Sequence, residues 1–170
     1  LCSLRMHQDK LEIIDTTAIG AGPQLYGLFR NRRMATDALM LIADEHRLCH
    51  TLLGIDKSSG RACFRAQIGK CAGACKSAES HEAHTERLLA ALERWAVHHW
   101  PFPGPIALHE RHGQAEEYHV VDSWRYIGTY ACEADARKAP KLTGQAFDAD
   151  CYKILVRPVL LESTTIILLS

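Results

Sequence analysis

A segment of about 25 residues in the middle of the chain lacks hydrophobic periodicity, and it constrains the fold more than any other feature. Residues 54–79 contain Gly54, Gly60, Gly69 and Gly73 and show the apolar spacing of neither a helix nor a strand. Loops of this length are uncommon inside compact domains and are often functional. Something other than its own secondary structure must therefore hold this segment in place.

Four cysteines are the candidates for that restraint. Cys49, Cys63, Cys71 and Cys75 follow the spacing C-x13-C-x7-C-x3-C. Four thiolates can bind a tetrahedral zinc ion or an iron–sulfur cluster. The alternative is a set of buried thiols without metal, but their glycine-rich surroundings offer little apolar periodicity to bury them. We therefore predict a metal site formed by these four side chains.

The cysteine spacing leaves two metal groups open. Structural zinc sites usually have two close cysteine pairs, whereas this chain has one, Cys71-x3-Cys75, and two distant single ligands. Ligands spread along the chain suit the separate corners of a four-iron cluster, and the basic residues between 61 and 76 suit its negative charge. A [4Fe–4S] cluster is thus the expected cofactor, and zinc is the alternative.

The composition excludes several classes of protein. The chain has 170 residues, of which 47% are hydrophobic and 24% charged, which is typical of a globular protein and not of a disordered one. No apolar run reaches the roughly 18 residues of a membrane span. The seven cysteines are odd in number and cannot all form disulfides. We therefore expect a reducing compartment, the cytoplasm.

Apolar patterns and capping residues predict an α+β fold with two main helices, a cysteine-rich loop and a small antiparallel sheet. The first part is predicted to contain a hairpin at 1–6 and 11–15, a strand at 25–29, a helix at 32–46 capped by Asn31 with an extension to 53 left open, and a helix at 81–98 capped by Ser80.

The second part is predicted to contain a meander of strands at 106–110, 117–122 and 124–129, a short helix or turn at 131–138, a helix at 149–156 that Asp148 caps and Pro158 ends, and a strand at 164–169. We expect one accessory domain over 1–170. Its parts are the hairpin, strand and helix of 1–48, the cysteine-rich loop of 49–79, and the remainder, 80–170.

Several motifs resemble the UvrC family of repair endonucleases. The resemblance runs through residues 24–29 (Gln-Leu-Tyr-Gly-Leu-Phe), 35–39, 47–49 (Arg-Leu-Cys) and 62–75, and it corresponds to the segment after the family's GIY-YIG nuclease domain. Residues 79–84, 100–106 and 147–155 resemble more narrowly the short Cho-type members, and the same module fused behind a DNA polymerase III epsilon-like exonuclease. Ala62 and Leu28 replace prolines of the family pattern.

The resemblance implies a [4Fe–4S] cluster on the four cysteines and a nuclease domain before residue 1. The whole protein would then make the incision on the 3′ side of a lesion in damaged duplex DNA, together with UvrA and UvrB. Tyr126-Ile127-Gly128 spells YIG, but no GIY lies upstream, so we interpret it as a strand and turn. We expect a non-catalytic module that helps to position the nuclease domain. The alternative is a zinc-stapled protein-interaction module without DNA contact.

Seven basic residues are predicted to face DNA. The chain has 20 basic and 20 acidic residues, which excludes a chain that is basic throughout but leaves room for a local patch. Four bases and no acid lie between 61 and 76, and three bases start the first long helix, where positive charge opposes the helix dipole. There are two alternatives to a DNA-binding role. These residues could form an ordinary solvent-exposed face, or their positive charges could balance the negative charge of the cluster. The residues are Arg30, Arg32, Arg33, Arg61, Arg65, Lys70 and Lys76.

Other motifs predict no further site. His81-Glu82-Ala83-His84 is one residue short of the HExxH zinc motif, and we expect both histidines to be exposed in a first helical turn. Cys2, Cys132 and Cys151 have no ligand spacing and are expected to be core or surface thiols.

Overall fold

The structure, a computed structural model, describes residues 1–7, 10–17, 19, 23–57, 62–141, 146–161 and 164–169. Its helices and antiparallel strands confirm the α+β class. The chain divides into two compact units, the first made of Leu1–Thr16 and Pro23–Val97, the second of Thr17–Gly22 and His98–Ser170. Each unit contains a four-stranded sheet, whereas the sequence predicts one small sheet. The single domain expected over 1–170 stays a prediction.

The first unit contains a sheet with the strand order β2-β1-β3-β4, in which every pair is antiparallel. Its strands are β1 (Cys2–His7), β2 (Lys10–Asp15), β3 (Leu25–Phe29) and β4 (Ala96–Val97). The predicted hairpin and the strand at 25–29 are confirmed. Leu4 pairs with Ile13 on one side and with Tyr26 on the other, which places Leu4 in the core of the unit.

Three helices complete the first unit: α1 (Arg32–Glu45), α2 (Phe64–Gln67) and α3 (His81–Leu92). Asn31 caps α1 by accepting a hydrogen bond from the amide of Met34, and Ser80 caps α3 in the same way from Ala83. Both caps are as the sequence predicts. The apolar faces of α1 and α3 pack in one core with β1 and β3; the buried residues from the helices are Ala35, Leu39, Ile42, Ala43, Leu88, Ala91 and Leu92.

One helix end differs from its prediction, and the extension left open for the other helix does not form. α3 ends at Leu92 and not near residue 98, because Ala96 and Val97 pair with β3 as an edge strand after a 3₁₀ turn at Glu93–Trp95. α1 ends at Glu45 and does not extend to 53. Arg47 adopts a positive φ of 52°, which a continuing helix cannot contain.

The second unit contains a sheet with the order β7-β6-β5-β8, again antiparallel throughout. The elements are β5 (Ile106–His112), β6 (Ala115–Asp122), β7 (Arg125–Tyr130), α4 (Glu133–Ala136), α5 (Ala149–Leu160) and β8 (Thr165–Leu168). The predicted meander, short helix and final strand are confirmed. Trp124 is fully buried and packs edge-to-face on Tyr152, with ring centroids 5.0 Å apart.

The end of α5 is a correction, because Pro158 lies inside the helix and does not end it. Proline removes one backbone hydrogen bond, but the buried Val159 keeps the last turn packed against the unit. The predicted cap is correct, since Asp148 accepts from the amides of Asp150 and Cys151. In the part of the chain that the structure describes, no helix has the length and apolar character needed to span a membrane.

Candidate metal centre

Four thiols converge beyond the end of α1. Cys49 follows α1, Cys63 directly precedes α2, and Cys71 and Cys75 follow α2. Their Sγ atoms all lie within 4.8 Å of one another, and the Sγ atoms of Cys49 and Cys63 are 4.0 Å apart. Three of the thiols are buried, whereas Cys75 is partly exposed. Thiols at such separations could bind a metal ion.

The backbone between Cys71 and Cys75 turns sharply around Gly73. Gly73 has a φ of 93°, and its amide N–H donates to the Sγ of Cys71 at 3.3 Å. The amide of Cys63 donates in the same way to the Sγ of Cys75 at 3.4 Å. Backbone N–H groups that point at sulfur stabilise the thiolate form, which is the form that binds metal.

The thiols differ in their affinity for protons. Burial raises the pKa of the Cys49 and Cys63 thiols, in the case of Cys63 to about 12, although amide N–H groups of Leu52 and Ala66 oppose the shift. Burial acts in the same sense on Cys75, but the amide of Cys63 and the surrounding thiols outweigh it and lower the pKa of Cys75. A metal ion must therefore displace protons from the thiols of Cys49 and Cys63.

Helix α3 supports the site from one side. His84 is buried, and its Nε2 accepts a hydrogen bond from the amide of Cys49 at 3.0 Å. Burial lowers the pKa of His84, so the ring is neutral and Nε2 can accept. One turn further on, Arg87 donates from Nε to the carbonyl of His46 at 2.9 Å and from Nη2 to Glu79 at 2.8 Å. We call residues 46–79, which contain the four cysteines, the cysteine segment. Arg87 contacts both ends of this segment.

A second contact joins α2 to α1. The guanidinium of Arg65 donates to the carboxylate of Asp44. The buried ring of His50 lies beside the same carboxylate, with Nε2 3.5 Å from Asp44 and Nδ1 3.6 Å from Asp56. Burial lowers the pKa of His50 more than Asp56 raises it. The charge of Arg65 is therefore balanced within the fold.

The supporting residues are not predicted from the sequence. His84 is expected to be exposed, and this expectation is wrong: it is 4% exposed. The sequence does contain a pattern that indicates burial of His84. Leu88, Ala91 and Leu92 form the buried face of α3, and His84 lies one turn earlier on that face. Glu79 and Arg87 carry no such signal, since their pairing depends on the path of the chain before α3.

The predicted basic residues lie in two places. Arg30, Arg32 and Arg33 lie at the start of α1, and the 14 residues of that helix put about 20 Å between them and the thiols. Arg32 donates from both Nη atoms to the carbonyl of Ile13 at 2.8 Å. The Nε atom of Arg33 lies 3.9 Å from Oδ2 of Asp37.

The second group lies at the thiols. Lys70 and Lys76 are exposed next to Cys71 and Cys75, Arg65 pairs with Asp44, and Arg61 falls outside the described residues. The structure therefore does not bring the two groups together. Of the remaining thiols, Cys2 is buried, Cys132 is exposed and Cys151 is partly buried.

Adding one methyl group at Gly73 is expected to disturb the site. A Cβ at Gly73 would lie 2.8 Å from the Cβ of Ala78, whereas a Cβ at Gly69 would meet nothing within 4 Å. Both glycines have positive φ, so Gly69→Ala controls for backbone strain of about 1–2 kcal/mol. We expect Gly73→Ala to lower both the melting temperature and the bound metal per chain more than Gly69→Ala does. Equal losses would contradict a role for the close contact.

The Glu79–Arg87 pair is expected to make stability depend on pH. The hydrogen bonds from Arg87 hold the pKa of Glu79 below its ordinary value of about 4.3. A lowered carboxyl pKa stabilises the fold above the unfolded value and loses this effect as pH falls through the folded value. Glu79→Gln should therefore cost about 1–3 kcal/mol in urea unfolding at pH 7, and less as the pH falls below 4. Glu86→Gln, at an exposed carboxylate of α3, is the control and should change little at either pH.

The chain matches known proteins over nearly its whole length. The family described as "UvrC/Cho excinuclease, middle domain" matches residues 1–94, and "Excinuclease Cho C-terminal domain" matches residues 105–170. The chain is 42% identical over 163 residues to "Excinuclease cho" of Escherichia coli strain K12, and 41% identical to that of Salmonella typhi. No solved structure matches it significantly.

The matched stretch is 94% of this chain and 55% of each of these relatives, so the chain spans about half the length of the curated relatives it matches. The match to the middle domain includes all four converging cysteines. By these matches, the chain belongs to the UvrC/Cho excinuclease family.

Proposed function

We propose that this chain is a non-catalytic module of an excinuclease in nucleotide excision repair, and that its thiols hold a metal centre beside DNA. The observation that supports this most is the convergence of four thiols within the part that matches the UvrC/Cho middle domain. The 3′ incision then belongs to a nuclease domain that this module helps to position. Contact with damaged DNA and with UvrB, and a cytoplasmic location, are parts of the same proposal.

The proposed metal group is a [4Fe–4S] cluster. All four donors are thiols, as such clusters require, and their spacing along the chain resembles the family's cluster motif. Cys49, Cys63, Cys71 and Cys75 would hold it, and the amides of Cys63 and Gly73 would continue to donate to sulfur. A bound cluster would cross-link Cys49, which follows α1, to the three cysteines around α2, and it can carry an electron.

Zinc is the second candidate because of the separation of the thiols. Four thiolates at about 2.3 Å from one tetrahedral ion have sulfurs about 3.8 Å apart. The 4.0 Å between the Sγ atoms of Cys49 and Cys63 is close to this value. A four-iron cluster places each thiolate on a different iron, so it requires the sulfurs to move apart. Zinc would favour a protein-interaction role without DNA contact.

Removing one thiol tests the metal site. We expect anaerobically purified protein to contain about four irons and four sulfides per chain, with brown visible absorption. Cys71→Ala should lose the absorption and lower the unfolding midpoint, because the cysteine segment loses its cross-link. Cys132→Ala removes an exposed thiol of the second unit and should change neither. Stoichiometric zinc without iron or sulfide would contradict the cluster, and protein without any metal would contradict the site.

Exposed cations around the centre support the proposed DNA contact. We call them the basic rim: Arg47, Lys70 and Lys76, which lie within two residues of Cys49, Cys71 and Cys75, respectively, and are exposed. Residues 62–78 contain no acidic side chain, and their third basic residue, Arg65, is paired with Asp44. Lys and Arg side chains that face solvent can bind phosphates without sequence preference.

Neutralising the basic rim is expected to weaken DNA binding equally on all sequences. The double variant Lys70→Gln, Lys76→Gln should reduce the slope of log affinity against log salt concentration by about 0.9 per lost phosphate contact on duplex DNA. The matched comparison is Arg33→Gln, at the other end of α1, which should leave the slope unchanged. An unchanged slope in a double variant that keeps its metal would contradict the proposal. A slope that falls only in Arg33→Gln would put the DNA contact at the start of α1.

A further inference from the structure

Two apolar side chains beside the metal centre face solvent. Phe64 is 68% exposed and Ile68 is 50% exposed. They are four residues apart on α2 and the residue that follows it, so they lie on one side of that turn. Ala66 lies on the other side and packs against the buried thiols. The helix thus directs its small residue inward and its two large apolar residues outward.

The exposed pair stands on a restrained backbone. Cys63 directly precedes Phe64, and Cys71 follows Ile68 by three residues; both cysteines are buried in the site. The side chain of Arg65 is held by its contact with Asp44 on α1. Because the backbone that carries the ring is already ordered, binding a partner costs only the entropy of the side-chain rotamers.

The surroundings of the pair favour a nucleic acid as its partner. Gln67, Gly69 and Lys70 are exposed beside it along the chain. The carboxylate of Asp44 lies close by but pairs with Arg65, and the next acids along the chain are Asp56 and Glu79. Lys70 therefore presents an exposed positive charge beside the apolar pair. A nucleic acid with an unstacked base offers a flat apolar face and a phosphate together, which matches an aromatic ring next to a cation.

We propose that Phe64, supported by Ile68, stacks against an unstacked base in distorted DNA while Lys70 binds a neighbouring phosphate. The proposal rests on the proposed function, because it requires the metal-centre face to contact DNA, and it assigns to this face a preference for DNA whose bases are unpaired. Apolar side chains that enter an opened base step gain most where the stacking is already lost, as at a lesion.

The test compares two DNA molecules of one sequence, a fully paired duplex and one with a 2-aminopurine in a short unpaired bulge. Binding of the metal-loaded full chain is measured by fluorescence anisotropy, and stacking by quenching of the 2-aminopurine. We expect tighter binding to the bulge. Phe64→Ala should weaken binding to the bulge about five- to tenfold, with little effect on the duplex, and should abolish the quenching. Phe64→Trp should retain both.

Controls separate stacking from charge and from misfolding. Lys70→Gln should weaken binding to both DNA molecules by the same factor, because a phosphate contact ignores base pairing. Met34→Ala removes another exposed apolar side chain, 47% exposed at the far end of α1, and should change neither affinity. Metal content and circular dichroism of each variant should equal those of the wild type. Where Phe64→Ala loses metal, Phe64→Leu is measured instead, since it keeps the apolar volume and removes the ring.

The outcomes distinguish this inference from the proposed function. If the wild type shows no salt-dependent DNA binding, the proposed DNA contact is wrong and the stacking with it. If the wild type binds DNA but Phe64→Ala keeps the preference for the bulge, only the stacking is wrong. If Phe64→Ala leaves both affinities unchanged and abolishes binding to purified UvrB, the pair is a protein-binding surface and the proposal is overturned.

Discussion

The meeting of the four thiols is the contact on which the cysteine segment depends. Between α1 and α3, the described part of the chain forms one four-residue helix and one 3₁₀ turn, and most of its other backbone hydrogen bonds close short turns. Fixing the backbone costs about 1–2 kcal/mol per residue, and few apolar side chains of this segment reach the core to offset it. A metal bound to the thiols would stabilise the segment directly, because the free energy of binding becomes free energy of folding. Cys49, four residues after α1, would then tie the three cysteines of the loop to that end of the helix.

The charged side chains around the cysteines of the first unit are of two kinds. Some form pairs that stabilise the fold, and others face solvent. Arg87 pairs with Glu79 and binds the carbonyl of His46, and Arg65 pairs with Asp44. These guanidiniums are mostly shielded, with side chains 31% and 18% exposed, and their charges are balanced. The basic rim is different, because its cations are exposed. A count of basic residues in the sequence therefore overestimates the charge that is available to a phosphate backbone, and the pairing within the fold decides which cations remain.

Some elements differ from the sequence predictions because contacts between distant residues outweigh local preference. Apolar residues at helical spacing continue in the sequence beyond Leu92, at Trp95 and Ala96, yet the chain leaves the helix after Leu92. Ala96 and Val97 gain backbone hydrogen bonds at the edge of the sheet beside β3. In α5, Pro158 costs one hydrogen bond, but burial of Val159 keeps the last turn helical. Neither outcome can be predicted from neighbouring residues, because the partners are far away in the sequence.

The sequence by itself determined what depends on near neighbours and on residue type. The caps Asn31 and Ser80, the buried face of α1, the alternating strands, the four cysteines as one set and the family resemblance are all readable there, since each signal is contained in a few adjacent residues. Only the tertiary structure decided that His84 supports the amide of Cys49, that Arg65 is bound to Asp44, and that the arginines at the start of α1 lie far from the thiols. These facts depend on how the chain returns through space, because a side chain's exposure and partners are set by the elements that pack on it and not by its own position in a motif.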